Sequence, residues 1–71
     1  MAEEVRAEMV ANVLAVSVVE GEEVQPGQTL AILESMKMEI PVVPEFGGVV
    51  RRVAIAVGDV VQEGDLLVSL D

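Results

Sequence analysis

The segment VEGEEVQPGQTLAIL, residues 19–33, recurs as AVGDVVQEGDLLVSL at residues 56–70, a constant offset of 37 residues. Both copies carry glycine at their third and ninth positions, valine at the sixth and glutamine at the seventh. Upstream, the same offset aligns three apolar pairs: Val13 with Val50, Val16 with Val53, and Val18 with Ile55. The two halves of the chain therefore share one structural motif.

The repeated motif predicts two strands joined by a turn, because its glycines permit the positive φ angles that tight turns require. A solenoid needs at least three repeats to bury a continuous core, and this chain has two. We therefore expect two interlocked halves that close a single barrel or sandwich.

The composition favours strands over helices. Sixteen of the 71 residues are valine, whose branched side chain fits a pleated sheet better than a helix. In VAIAV, residues 53–57, large and small residues alternate, which predicts a strand with its large residues on one face. The leucine-rich runs 30–33 and 66–70 are consistent with buried strands. The sequence thus predicts an all-β protein.

Several classes of function are excluded by residues that the chain lacks. It has no cysteine and no histidine, so the usual zinc ligands and the Ser-His and Cys-His dyads are missing. Asp59, Glu63 and Asp65 do not have the spacing of a calcium loop, and we expect no metal site. The net charge of −9 argues against nucleic acid and anionic membranes as partners.

The length and the N-terminal residues bound the organisation of the chain. At 71 residues we expect one domain spanning 1–71. The start MAEEVRAE is acidic where a secretory signal is basic, and polar residues interrupt every apolar stretch before the ~18 residues of a membrane span. We therefore expect a cytoplasmic location.

The chain has a single lysine, Lys37, which lies between the two copies of the repeat. The quasi-repeats run over about 2–34 and 39–71, so residues 35–38 are the link that joins them. A short link between two strands is a hairpin tip. We therefore expect Lys37 to project from an exposed corner of the molecule, held by a strand on each side.

Two methionines, Met36 and Met38, flank this lysine where polar turn residues are expected. Neighbouring turn residues rarely all point inward, so at least one methionine should leave an adaptable apolar surface beside the amine. An ordinary solvated lysine remains an alternative. A catalytic lysine is disfavoured, because an exposed tip flanked by Glu34 and Glu39 favours the protonated amine. Acylation by another enzyme fits these features better.

The stretch ESMKMEIP, residues 34–41, resembles the attachment motif of biotinyl domains, the biotin carboxyl carrier proteins. The resemblance covers the repeat, both glycine turns and the central lysine, and extends to small free-standing biotinylated proteins of actinobacteria. It implies a flattened barrel of two four-stranded antiparallel sheets with a pseudo-twofold axis, and a tip lysine opposite the termini. Ser35 replaces the commoner alanine, EIPVVP replaces a more polar segment, and no protruding thumb interrupts the first repeat.

The resemblance also implies a function. A biotin protein ligase would join biotin to Lys37, and the tethered biotin would shuttle carboxylate between a biotin carboxylase and a carboxyltransferase. Met36 and Met38, together with Glu34 and Ser35, would be recognised by the ligase or other partners. The chain would then be a carrier with no catalytic residues of its own, and a monomer as an isolated domain.

Two other functions remain open at this point. A lipoyl domain of a 2-oxoacid dehydrogenase shares the implied fold and tip lysine, although its lysine typically lies in an Asp-Lys-Ala setting rather than between methionines. An unmodified interaction module is the second alternative. The mass of the intact protein from cells with active ligases distinguishes a biotinyl group, a lipoyl group and no modification.

Overall fold

The computed structural model describes residues 2–71, which form strands and turns. The eight strands are β1 (Glu3–Arg6), β2 (Ala11–Val16), β3 (Glu23–Val24), β4 (Ala31–Ser35), β5 (Met38–Val42), β6 (Gly48–Val53), β7 (Val60–Val61) and β8 (Leu66–Leu70). Residues 2–71 contain no helix that is long and apolar enough to cross a membrane. The predicted all-β class is confirmed.

The strands form two four-stranded sheets in which every pairing is antiparallel, with the orders β1-β8-β6-β3 and β5-β4-β2-β7. The 37-residue offset carries β1, β2, β3 and β4 approximately onto β5, β6, β7 and β8, so the second order repeats the first. Each sheet also has a register shift at the same place in the repeat, between Val13 and Ala15 and between Val50 and Arg52. The predicted fold with a pseudo-twofold repeat is confirmed.

The two halves are interlocked by backbone hydrogen bonds between a turn of one half and a strand of the other. The Gly21 amide donates to the Val50 carbonyl at 2.7 Å, and the Gly58 amide donates to the Val13 carbonyl at 2.9 Å. Both glycines have positive φ angles, 93° and 95°, which non-glycine residues adopt at a cost. Neither half can therefore complete its hydrogen bonding alone.

A carboxylate caps each of these turns. Glu22 accepts a hydrogen bond from the Val19 amide at 3.2 Å, and Asp59 accepts one from the Ala56 amide at 2.9 Å. The acidic residue of the G-[ED] motif is thus a turn cap, and no group of metal-ligating side chains is found within residues 2–71.

The core lies between the sheets and is entirely apolar. Its largest fully buried side chains are Val13, Leu30, Val50, Leu67, Val68 and Leu70. Burial of each such side chain contributes roughly 1.5–3 kcal/mol. The buried strands predicted at 30–33 and 66–70 are confirmed by β4 and β8.

The strand predicted over 53–57 is wrong beyond its first residue. β6 ends at Val53, and Val57 is 65% exposed. Val53 and Ile55 do pack against the core, as the alternation predicted. The chain then enters the turn capped by Asp59, so the alternating pattern continues past the end of the strand.

Candidate functional site

The hairpin of β4 and β5 ends in a two-residue turn. Ser35 pairs with Met38 as the last pair of the ladder, which leaves Met36 and Lys37 as the two turn residues. The molecule is elongated, measuring 32 × 18 × 18 Å. Because the hairpin is continuous with the central β4–β2 pairing, a rigid sheet supports this tip.

Both turn residues adopt left-handed backbone conformations. Met36 has a φ of 54° and Lys37 a φ of 65°. Two-residue hairpins favour turns of this kind, and Asn-Gly is their preferred sequence. A residue with a Cβ pays ~1–2 kcal/mol in the left-handed region. Strain of this kind persists where function requires particular side chains, which marks Met36 and Lys37 as a candidate site.

The side chains of the tip are open to solvent. Met36 is 91% exposed and Met38 is 66% exposed, and Lys37 between them is also exposed. The sequence predicted at least one outward methionine, and the structure shows two. Glu34 and Ser35, which the sequence also assigned to partner recognition, are half-buried on the adjoining strand. All five predicted site residues therefore lie together on one hairpin.

The charges around the tip are arranged unfavourably for the isolated molecule. Glu34 is paired directly across the ladder with Glu39, and like charges in this position destabilise a sheet. Within residues 2–71, no ion pair includes Lys37 or either of these carboxylates. The amine and the two acids are thus available to a partner.

A second polar site, which the sequence analysis did not identify, lies on the strand that begins the fold. The carboxylate of Glu3 accepts hydrogen bonds from the amides of Glu45 at 2.7 Å, Phe46 at 3.0 Å and Gly47 at 3.2 Å. Burial raises the pKa of Glu3, but the three amides lower it and together outweigh burial, so the pKa lies below its ordinary value. We call this contact the Glu3 clasp.

The repeat itself contained a signal for the clasp. At the 37-residue offset, Glu3 corresponds to Ile40, so one half has a carboxylate where the other has an apolar side chain. The clasp thus joins β1 to the loop before β6 and breaks the pseudo-symmetry.

Comparisons with known proteins agree with the geometry of the hairpin. The model of the biotin/lipoyl family, described as "Biotin-requiring enzyme", matches residues 3–70. A Mycobacterium leprae homologue of biotinylated protein TB7.3 is 57% identical over 67 residues, which cover 94% of each chain. The alpha chain of human mitochondrial propionyl-CoA carboxylase is 42% identical over 66 residues, covering 93% of this chain and 9% of the human one.

A solved structure shows that the chain also resembles a carboxylase in its backbone fold. Kluyveromyces lactis urea carboxylase matches with a TM-score of 0.91 at 28% identity, covering 100% of this chain and 6% of the yeast protein. The relatives named for biotinylation favour biotin over lipoate as the attached group. The chain belongs to the biotin/lipoyl family, and it is a biotin carrier domain of the kind found in carboxylases.

Proposed function

We propose that Lys37 is the residue to which biotin is attached. The observation that carries this proposal is the position of the chain's single lysine in an exposed, strained two-residue turn. The site fits the group, because an amine that extends from a hairpin tip can enter the active site of another enzyme, whereas an amine within a sheet face cannot. No other lysine competes for the modification.

The attachment is an acyl transfer that a biotin protein ligase performs. The Lys37 amine attacks the carbonyl carbon of biotinyl-adenylate, a C–N bond forms, the bond from that carbon to the phosphate oxygen breaks, and AMP leaves. The amine must first lose its proton, which the ligase accepts. A protonated amine has no free electron pair with which to attack the carbonyl carbon.

Met36 and Met38 serve as apolar recognition residues for the ligase. They are exposed on both sides of the lysine, and methionine adapts its shape to a partner surface. Glu34 and Ser35 extend this surface along β4. The facing carboxylates of Glu34 and Glu39 favour a partner that presents basic groups.

Bound biotin supplies a ureido nitrogen that accepts and releases carboxylate. The chain itself supplies a rigid tip from which the group reaches a biotin carboxylase and a carboxyltransferase in turn. Tethering makes each encounter intramolecular within a complex, which raises the effective concentration to the millimolar range, about 1 mM. The chain takes no catalytic step of its own in this proposal.

The experiment compares two variants with the unaltered chain, all produced in cells that contain an active biotin protein ligase. Lys37→Arg keeps the charge and should fold normally but bind no streptavidin. The matched control exchanges the turn residues, Met36→Lys with Lys37→Met, and keeps the composition while moving the amine by one position. We expect this exchange to reduce labelling at least 10-fold. Labelling of Lys37→Arg equal to that of the unaltered chain would refute the assignment.

A further inference from the structure

An open groove lies between β1 and β5, the edge strands of the two sheets. Its volume is about 240 Å³, and its wall is mainly apolar. Among the residues that line it are Val5, Met9, Leu33, Ile40, Val42 and Val43. Leu33 and Ile40 face each other as a pair in the hairpin that ends at Lys37, so the groove is part of the same hairpin as the proposed attachment site.

Two of the residues that line this groove, Glu8 and Met9, are the counterparts of residues in the Glu3 clasp. The Glu3 clasp shows that the amides of Glu45 and Phe46 bind a carboxylate. At the 37-residue offset these two residues correspond to Glu8 and Met9, which also form a bend and line the groove. Within residues 2–71, the amides of Glu8 and Met9 donate to no protein acceptor.

The reason for this difference is the residue opposite the donors. Ile40 occupies the position that corresponds to Glu3, and its side chain offers no acceptor. The correspondence does not extend to the third amide of the clasp, because Gly47 has a φ of 89° whereas its counterpart Val10 is not among the residues with positive φ. The unfilled site therefore consists of two amides, those of Glu8 and Met9, beside an apolar wall.

The groove is within reach of a group on Lys37. Ile40 lies three positions after Lys37 along the hairpin, which corresponds to a distance of about 10 Å in a strand. An extended lysine that carries the valeryl chain of biotin can span this distance, turn back and place its terminal ring in the groove.

We propose that the groove is a docking site for the ring of the tethered biotin. The amides of Glu8 and Met9 donate hydrogen bonds to the ureido carbonyl oxygen, and Ile40 and Val43 contact the apolar part of the ring. This inference rests on the proposed attachment at Lys37. Two hydrogen bonds are weak for a free ligand, but tethering supplies the ring at an effective concentration of roughly millimolar.

A docked ring would be held by the chain between encounters and released when a partner competes for it. This arrangement uses residues of the barrel itself. The weakness of the contacts suits it, since a ring that bound tightly to its own carrier would not transfer to a partner.

The test compares amide NMR spectra of the unmodified and biotinylated forms of the full chain. We expect the amide protons of Glu8 and Met9 to move downfield on biotinylation and the ring protons to show contacts with the Ile40 methyl groups. The amides of Glu45 and Phe46 are the internal control, because they already bind Glu3 and should not move.

A variant supplies the second arm of the test. Ile40→Glu places a carboxylate at the position equivalent to Glu3, so the Glu8 and Met9 amides should shift in the unmodified protein and show no further shift on biotinylation. Ile40→Val keeps the apolar wall and should retain the biotin-dependent shift. The spectrum of the remaining amides reports whether each variant is folded.

The outcomes separate this inference from the proposed function. A biotinylated chain, verified by mass, whose Glu8 and Met9 amides do not move would overturn the docking site and leave the attachment intact. A chain that acquires no biotin at Lys37 would overturn the proposed function first. Equal shifts in the 8–9 and 45–46 loops would also contradict the inference, because they would indicate a general change rather than docking.

Discussion

Met36 and Lys37 are consecutive residues that both adopt the left-handed conformation, with φ angles of 54° and 65°, although neither is glycine. The ladder pair of Ser35 with Met38 leaves a two-residue connection, and such connections favour type I′ turns, which have positive φ at both turn positions. Methionine and lysine thus occupy two positions whose backbone conformation favours glycine or asparagine.

Relief of this strain should stabilise the protein. We expect Lys37→Gly to increase the free energy of unfolding by about 1 kcal/mol, since the gain at the turn exceeds the entropy that glycine adds to the unfolded chain. Lys37→Ala is the matched control, because alanine removes the side chain but keeps its Cβ in the left-handed region. Urea unfolding measures both. A gain for alanine equal to that for glycine would show that charge, rather than backbone strain, is responsible.

The methionines should affect ligation without affecting folding. Met38→Ala should lower kcat/KM of the ligase by roughly 10-fold, because it removes an apolar contact worth about 1–2 kcal/mol. Its free energy of unfolding should change by less than about 0.5 kcal/mol, as is typical of exposed sites. Val57→Ala is the control, since Val57 is 65% exposed and Met38 66%. Equal losses for the two variants would contradict a recognition role for Met38.

The Glu3 clasp predicts a dependence of stability on pH. The pKa of Glu3 is lowered in the folded protein, so its contribution is present above the unfolded-state pKa and is lost as the pH falls through the folded-state pKa. At neutral pH, Glu3→Gln should reduce the free energy of unfolding by about 1 kcal/mol. The difference from the unaltered chain should disappear in acid. Glu63→Gln, at an exposed position, should show neither effect.

Most of the fold could be predicted because the repeat shows the core positions and the turns twice. Val13 and Val50, or Leu30 and Leu67, identify the same core positions in each half, and the paired glycines identify the turns. The tip could be predicted for a related reason, since Lys37 lies where the repeat is interrupted. A departure from the repeat could not be interpreted from the sequence. Glu3 and Ile40 occupy equivalent positions, but only the structure shows that backbone amides bind the Glu3 carboxylate and that Ile40 lines a groove.

The end of β6 was mispredicted because alternation alone does not mark where a strand stops. Val53, Ile55 and Val57 share one pattern, but the ladder to β8 ends at Val53. The Ala56 amide donates instead to the carboxylate of Asp59, in the turn that follows the strand.

A glycine that is crowded by neighbouring backbone and a glycine that faces open space should respond differently to substitution. A Cβ at Gly48 would clash with the Asp71 carbonyl oxygen, whereas a Cβ at Gly64 would meet no atom within 4 Å. Gly48→Ala should therefore cost at least about 3 kcal/mol, from backbone strain and the clash together, and Gly64→Ala about 1 kcal/mol from strain alone. Thermal unfolding of both variants tests this order. Similar losses would show that the carboxyl terminus moves aside freely.

The attachment of biotin to Lys37 is tested most directly by fragmentation mass spectrometry of the chain purified from cells that produce biotin protein ligase. We expect one biotinyl increment per molecule, located on the fragment that contains Lys37. An unmodified chain from such cells, or an increment located on any other residue, would contradict the proposal.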